Sequence, residues 1–357
     1  MKASMPENVL PIMHTCRTLY QLGMPVLLQD INYTYVNKRY LLYYHLFQSD
    51  ASRFIHVKRL RYSMIVHEDI PEPNMFSDFL SYSTHLCELD ITYNPSNALD
   101  DGVLKQIAAL LELRRLHLRN WPQTLLTQLL RSIKVPLTTL GIHRDVEFKL
   151  DPTPLDFIPL AVLFQASLTS LEIMACTGVM VLHSLSTTLP NVRALRWRSA
   201  NVVHASTLAA LLPGLQELDV SFALLPAPRM TTPATRQHAL DAQPQWHALQ
   251  RVGGAYHHLW ALGLHGAVAH LTLVLYDAQG DEPRTELAEA VLRALRPTHL
   301  VLVLDAPSPA LLHSSLASFV YENLRELALR IALPDPLLLR ATLEALVRRS
   351  VHACGHS

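Results

Sequence analysis

The stretch Leu113-Arg-Arg-Leu116-His-Leu118 decides the fold, because its pattern recurs along most of the chain. An apolar residue is followed by two others, then Leu, then one other, then a second apolar residue. Further clear copies begin at Val57, Leu86, Leu137, Leu168, Val192, Leu215, Val268 and Leu324, and weaker ones at Leu28, Trp246 and Pro297. Their mean separation is about 27 residues, within the 20–29 residues of leucine-rich repeats, and single intervals range from about 22 to 31.

Amphipathic helical patterns lie between these copies, with apolar residues three and four positions apart. They cover residues 102–113, 125–133, 207–212, 286–295 and 336–347. Strands that alternate with helices favour a parallel sheet covered by helices. The sequence therefore predicts an α/β leucine-rich-repeat solenoid, a curved parallel sheet with outer helices. It would span residues 28–357 as about 11–12 irregular repeats, after a short helical segment at residues 1–27.

The predicted concave face of the sheet carries polar side chains. In each copy the Leu and the last apolar residue point toward the helices, so the residues that alternate with them point outward. This alternation predicts an outward set of Arg59, Arg61, Glu88, Asp90, Arg115, His117, Arg119, Arg196, Arg198, Glu217 and Asp219. Rows of opposite sign become neighbours on adjacent strands. Two interpretations remain open: the charges pair with each other, or they recognise a protein.

Composition excludes several classes of protein. Half of the 357 residues are hydrophobic and 17% are charged, which excludes a disordered chain. Lys plus Arg and Asp plus Glu are each 30, so the chain lacks the basic excess that would indicate a nucleic-acid partner. No apolar run approaches the ~18 residues of a membrane span, and no secretory signal is recognisable. The four scattered cysteines indicate reduced thiols and a cytoplasmic or nuclear location.

Signatures of catalysis are missing from the sequence. It contains no GxSxG, GxGxxG, P-loop or HExxH motif, so we expect no enzyme activity and no cofactor. The pair His257-His258 and the triplet His67-Glu68-Asp69 are predicted to be solvated loops. The tail residues His352, Cys354 and His356 are predicted to fray, so no metal site is expected. Cys16 is predicted to pack as a small hydrophobe.

The N-terminal stretch from Met13 to Leu28, MHTCRTLYQLGMPVLL, resembles the second half of an F-box. In fungal F-box/leucine-rich-repeat proteins a similar Thr-Cys-Arg helix is followed by a Leu-Leu pair and the first repeat strand. The resemblance implies a substrate-recognition adaptor of an SCF-type cullin–RING ubiquitin ligase, with no covalent chemistry of its own. The F-box would bind a Skp-type adaptor, and the concave face would bind an unknown protein substrate. The implied adaptor-binding or F-box core residues are Leu10, Met13, Cys16, Leu19 and Leu22.

One departure from the F-box pattern keeps an alternative open. An F-box begins with a Leu-Pro-x-Glu-[Ile/Val]-Leu helix, well before the Cys-Arg helix. Here Leu10 lies only six residues before Cys16, too close for a separate helix and turn. Either the start codon lies upstream, or the box is degenerate. In the second case the protein would be a leucine-rich-repeat scaffold with no ligase role.

Overall fold

A computed structural model describes the chain with gaps, at residues 16–34, 43, 47, 50–63, 75–94, 101–144, 158–175, 188–199, 205–221, 246, 248–276, 285–305 and 324–332. The chain divides into two compact units, Met1–Val181 and Leu182–Ser357. Within the described residues of each unit, parallel strands follow one another in chain order.

The first unit begins with helix α1, Arg17–Leu27, and then alternates strands with helices. Its strands are β1 (Asp30–Tyr33), β2 (Arg59–Ser63), β3 (Glu88–Thr92), β4 (Arg115–Arg119), β5 (Thr139–Arg144) and β6 (Ser170–Ala175). Between them lie a 3₁₀ helix (Ala51–His56) and the helices α2 (Met75–Tyr82), α3 (Asp101–Ala108), α4 (Gln123–Ser132) and α5 (Ile158–Val162). Each strand pairs in parallel with the next at equivalent positions of the repeated pattern, as Leu60 does with Leu89.

Two rows of buried side chains cross these six strands on one face. The rows are Ile31, Leu60, Leu89, Leu116, Leu140 and Leu171, then Tyr33, Tyr62, Ile91, Leu118, Ile142 and Ile173. Burying one aliphatic side chain of this size contributes roughly 1.5–3 kcal/mol. The strand register is therefore specific, since a slip by one residue would place charged side chains in the core.

Aromatic contacts show which face of the sheet the helices cover. Phe79 of α2 is buried, and its ring centroid lies 5.7 Å from that of Tyr33 and 6.2 Å from that of Tyr62. It also contacts the ring of Phe54 in the 3₁₀ helix, at 4.2 Å. The helix thus packs on the face that carries the apolar rows, and the polar side chains occupy the opposite face.

The second unit repeats this arrangement. Its strands are β7 (Ala194–Ser199), β8 (Glu217–Ser221), β9 (Arg251–Ala255), β10 (His270–Tyr276), β11 (His299–Asp305) and β12 (Glu326–Ala332). Its helices are α6 (Ala205–Leu211), α7 (Tyr256–Leu262) and α8 (Thr285–Leu295). The buried row consists of Leu195, Leu218, Val252, Leu271 and Leu300. With its parallel strands and covering helices, the protein has the predicted α/β leucine-rich-repeat fold.

The register predicted for one repeat is wrong. The pattern assigned to Trp246 actually begins three residues later, because Val252 pairs with Leu218 and Gly254 pairs with Val220. Gly254 thus occupies the position of the last apolar residue. Its φ of 154° and the close approach of the Val220 carbonyl oxygen leave no room for a side chain. The apolar pattern was unrecognisable here because a glycine replaced its final residue.

A repeated backbone contact sets where each strand begins. The carbonyl oxygen of Lys58 accepts hydrogen bonds from two successive amides of the next repeat, those of Cys87 at 2.9 Å and Glu88 at 3.1 Å. We call a carbonyl in this position a step carbonyl. The same double contact is made by the step carbonyls of Gln29, Cys87, Arg114, Thr138, Arg193, Gln216 and Thr298. Each repeat therefore fixes the starting residue of the following strand.

Most predicted helices are confirmed where the structure describes them. Those predicted at 125–133, 207–212 and 286–295 correspond to α4, α6 and α8. Helix α3 ends at Ala108, five residues before the predicted end, and residues 109–112 form turns that lead to the next repeat. The helix predicted at 336–347 lies outside the described residues. Within the described part of the chain, no helix combines the length and the apolar character needed to cross a membrane.

Candidate functional site

The polar face of the strands in each unit is the candidate functional site, and we call it the open face of that unit. Because side chains alternate along a strand, residues flanking the buried Leu positions lie on this face. All eleven predicted residues lie on it. The first unit contributes Arg59, Arg61, Glu88, Asp90, Arg115, His117 and Arg119, and the second contributes Arg196, Arg198, Glu217 and Asp219.

Asp90 is the buried centre of an ion cluster on the first open face. The Nε of Arg61 donates a hydrogen bond to Oδ2 at 3.0 Å, and Nε and Nη2 of Arg119 donate to Oδ1 at 2.9 Å and to Oδ2 at 3.1 Å. The carboxylate side chain is 7% exposed, whereas that of Arg61 is 56% exposed. Burial favours a raised pKa for Asp90, but the hydrogen bonds and charges of Arg119 and the charge of Arg61 outweigh it. The pKa of Asp90 is therefore below its usual value.

Two other arginines of this face form ion pairs with carboxylates on neighbouring strands. Arg59 lies 2.9 Å from the carboxylate of Asp30, and Arg115 lies 2.7 Å from that of Glu88. Rows of opposite sign are thus neighbours on adjacent strands, as the sequence predicts. Both arginine side chains nevertheless remain about half exposed. Their guanidinium groups can therefore donate further hydrogen bonds to an acidic ligand.

The next strands bring two histidines and a glutamate together. His117 on β4 lies 3.7 Å from the carboxylate of Glu172 on β6, measured from Nδ1. His143 on β5 lies 3.8 Å from the same carboxylate, measured from Nε2. Sequence reasoning identified His117 and missed the other two. The available signal was their position, since Glu172 occupies the same place in its repeat as His117 does.

The open face of the second unit pairs its charges differently from the prediction. Arg196 lies beside Asp219 as expected, at 4.0 Å. Glu217, however, pairs with Arg251 at 3.1 Å. Arg251 was missed because the register error at Trp246 assigned it an inward position. Arg198 is exposed and lies opposite Ser221 in the sheet register, so it is not beside a carboxylate of β8.

Helix α1 carries two of the predicted adaptor-binding residues, Leu19 and Leu22. Leu22 is 67% exposed and Val26 is 47% exposed, whereas Met24 and Leu27 are buried. Cys16 is exposed, so the prediction that it packs in the core was wrong; it precedes the helix rather than lying on its packed side. Leu19 belongs to α1, and Leu10 and Met13 lie outside the described residues.

Of the histidines that the sequence raised as possible metal ligands, the structure describes His257 and His258. His257 and His258 do not lie in a solvated loop, since both are buried in α7. Desolvation lowers the pKa of His257 to about 4, and desolvation together with the charge of His257 lowers that of His258 to about 2. Both imidazoles are therefore neutral at pH 7. His67-Glu68-Asp69 and the tail histidines lie outside the described residues.

The parallel strands and their covering helices define a leucine-rich-repeat fold. No protein-family model and no curated protein sequence matches the chain. Among solved structures, the leucine-rich-repeat-containing protein LegL7 from Legionella pneumophila is 15% identical with a TM-score of 0.47, and the similarity covers 80% of this chain and 97% of that chain. The complex of Rad7 and Elc1 in yeast is 11% identical with a TM-score of 0.38, covering 78% and 77%.

Proposed function

We propose that this protein is a non-catalytic interaction protein, the substrate-recognition subunit of an SCF-type cullin–RING ubiquitin ligase. In this proposal α1 is part of an F-box-like segment that binds a Skp-type adaptor, and the open faces bind a protein substrate. The observation that carries the proposal is the exposed apolar surface of α1. The scattered cysteines support a reducing compartment, the cytoplasm or the nucleus.

The two sides of α1 have different environments. Leu22 and Val26 are four residues apart and so lie on the same side of the helix. Both are exposed, whereas Met24 and Leu27 on the other side are buried. An exposed pair of large apolar residues on an amphipathic helix is suited to a helical or grooved partner, because docking removes their surface from water. This arrangement supports a docking role for the segment that resembles an F-box.

The open faces support recognition of a protein with acidic segments. Around Asp90 the carboxylate is buried while Arg61 projects into solvent, and Arg115 is likewise more exposed than Glu88. A partner therefore meets guanidinium groups first. These groups bind carboxylates through two parallel hydrogen bonds, so complementary charge would determine specificity and association rate.

Co-precipitation with a purified Skp-type adaptor tests the ligase role. We expect binding by the chain or by a form extended upstream, and loss of binding in the double variant Leu22→Asp/Val26→Asp. Leu111→Asp is the matched control, because Leu111 is 77% exposed and lies outside α1. The absence of binding by both forms of the chain would disprove the adaptor role.

A leucine-rich-repeat scaffold without a ligase role is the second candidate. It is favoured by the open faces, whose described residues lie on the strands and do not depend on α1. The ligase role and the scaffold role imply different binding partners. A partner screen that returns acidic proteins but no cullin–RING components, together with no binding to the adaptor, would support the scaffold.

A further inference from the structure

Three polar side chains converge on adjacent strands of the first open face. His117 on β4 is in register with Gly141 on β5, which is in register with Glu172 on β6. His143 lies two residues beyond Gly141 on β5, on the same face. The three side chains each offer a ligand atom, and these atoms lie within 4.8 Å of one another.

Gly141 makes this convergence possible. It stands between His117 and Glu172 in the same row of the sheet, and a methyl group there would overlap Nδ1 of His117. Without a side chain on the middle strand, the imidazole reaches across it toward the carboxylate, at 3.7 Å. This separation exceeds a direct hydrogen bond, so the pair leaves space between its polar atoms.

The environment of these groups suits metal ligation. His143 is 2% exposed, and His117 and Glu172 are also largely shielded from solvent. A neutral imidazole keeps a nitrogen lone pair for a metal ion, and Glu172 supplies a charged oxygen.

We propose that His117, His143 and Glu172 form a binding site for a divalent transition-metal ion, with Zn²⁺ as the representative ion. Two imidazole nitrogens and one carboxylate oxygen are a ligand set typical of zinc, and they leave a fourth position for water on the open face. Bonds of about 2.1 Å place tetrahedral ligand atoms about 3.4 Å apart. The separations of 3.7 and 3.8 Å from Glu172, and the limit of 4.8 Å that covers all three atoms, exceed this distance by up to about 1.4 Å, so side-chain movements of that order would bring the three atoms to the ion.

No linear motif reveals this site, because each ligand comes from a different repeat. Zinc sites recognised from sequence have ligands a few residues apart, whereas these three are separated by whole repeats. The ion would join β4, β5 and β6 on the face opposite their apolar core. It would add stability to the first unit without depending on the proposed ligase function.

Titration calorimetry with Zn²⁺ on tag-free full-length protein tests the site. All proteins carry His352→Ala, Cys354→Ser and His356→Ala, so that the tail cannot contribute ligands. We expect one ion per chain, and Co²⁺ should give the visible spectrum of a low-coordinate site. Glu172→Gln should weaken binding more than about tenfold, since even outer-shell changes cost about 10–100-fold.

Two further variants separate ligation from general effects on folding. His299→Ala is the matched control, because His299 also faces a glutamate, Glu326 at 3.8 Å, but lies in the second unit. The affinity of this variant for Zn²⁺ should equal that of the parent protein. Gly141→Ala removes no ligand but displaces the ring of His117, so it should also weaken binding. Absence of Zn²⁺ binding, or equal affinity in the parent and Glu172→Gln, would overturn the proposal.

Discussion

Replacing Asp90 with Asn tests whether the ion cluster stabilises the first unit. The substitution keeps the size of the side chain but removes its charge. It also converts one acceptor oxygen into an amide donor that faces the guanidinium donors of Arg61 or Arg119. We expect a less stable first unit with an unchanged fold.

The magnitude follows from the contacts of the carboxylate. Asp90 accepts three hydrogen bonds from the two arginines, and bonds to charged groups contribute roughly 1.5–3 kcal/mol each. These contributions are not independent of one another. In addition, the side chains of Arg61 and Arg119 are 56% and 34% exposed, so water replaces part of the interaction when the carboxylate is lost. The expected loss in the free energy of unfolding is about 2–3 kcal/mol.

Urea unfolding measures this loss, and hydrogen–deuterium exchange localises it. Exchange should increase in β2, β3 and β4. Arg61→Gln is the control and should cost less than about 1 kcal/mol, because Arg119 still holds the carboxylate. A loss below about 0.5 kcal/mol for Asp90→Asn would refute the reasoning.

The pH dependence gives a second measurement of the same cluster. The pKa of Asp90 is lower in the folded than in the unfolded protein, so its charge stabilises the fold above the unfolded value of about 3.9. This contribution is lost as the pH falls through the folded value. The stability difference between the parent and Asp90→Asn should therefore be largest near neutrality and shrink in acid.

Three other predictions concern different parts of the chain. Gly254→Ala should destabilise the second unit by roughly 1–3 kcal/mol in urea unfolding, because its φ is 154°, while Gly253→Ala should have little effect. Lowering the pH from about 6.5 toward 4 should destabilise the second unit by up to about 1.4 kcal/mol per pH unit for each of His257 and His258. The reason is that these imidazoles bind protons in the unfolded chain at a higher pH than in the folded protein. A urea midpoint of unfolding that does not change over this pH range would contradict their burial as neutral groups. Cys16 should react with a thiol reagent in the native protein, since it is exposed, and protection equal to that of a core thiol would contradict this placement.

The strands and their pairing could be predicted because one short pattern determines several properties at once. In the copy that contains Leu89, the apolar residues identify the buried face, and alternation then places Glu88 and Asp90 on the other face. Alignment with the copies before and after it also predicted that the rows of Arg61 and Asp90 are neighbours, and the two side chains lie 3.0 Å apart. These inferences required only local sequence and the parallel order of the strands.

Other features could not be predicted because they depend on tertiary packing. The repeat at β9 contains Gly254 where an apolar residue marks other strands, so its register and the role of Arg251 were missed. The burial of His257 and His258 likewise depends on what packs around α7 rather than on a polar residue's usual preference. The convergence of the two histidines with Glu172 depends on a glycine that carries no chemical signal of its own.

The step carbonyls explain how repeats of unequal length can share one regular sheet. The double contact between Lys58 and the amides of Cys87 and Glu88 restarts the register at the beginning of each strand. Extra residues within a repeat are then accommodated in its connecting segment and do not shift the strands that follow. Insertions and deletions in these segments can therefore accumulate without moving the charged rows. The surface offered to a partner can stay constant while the length of the gene changes.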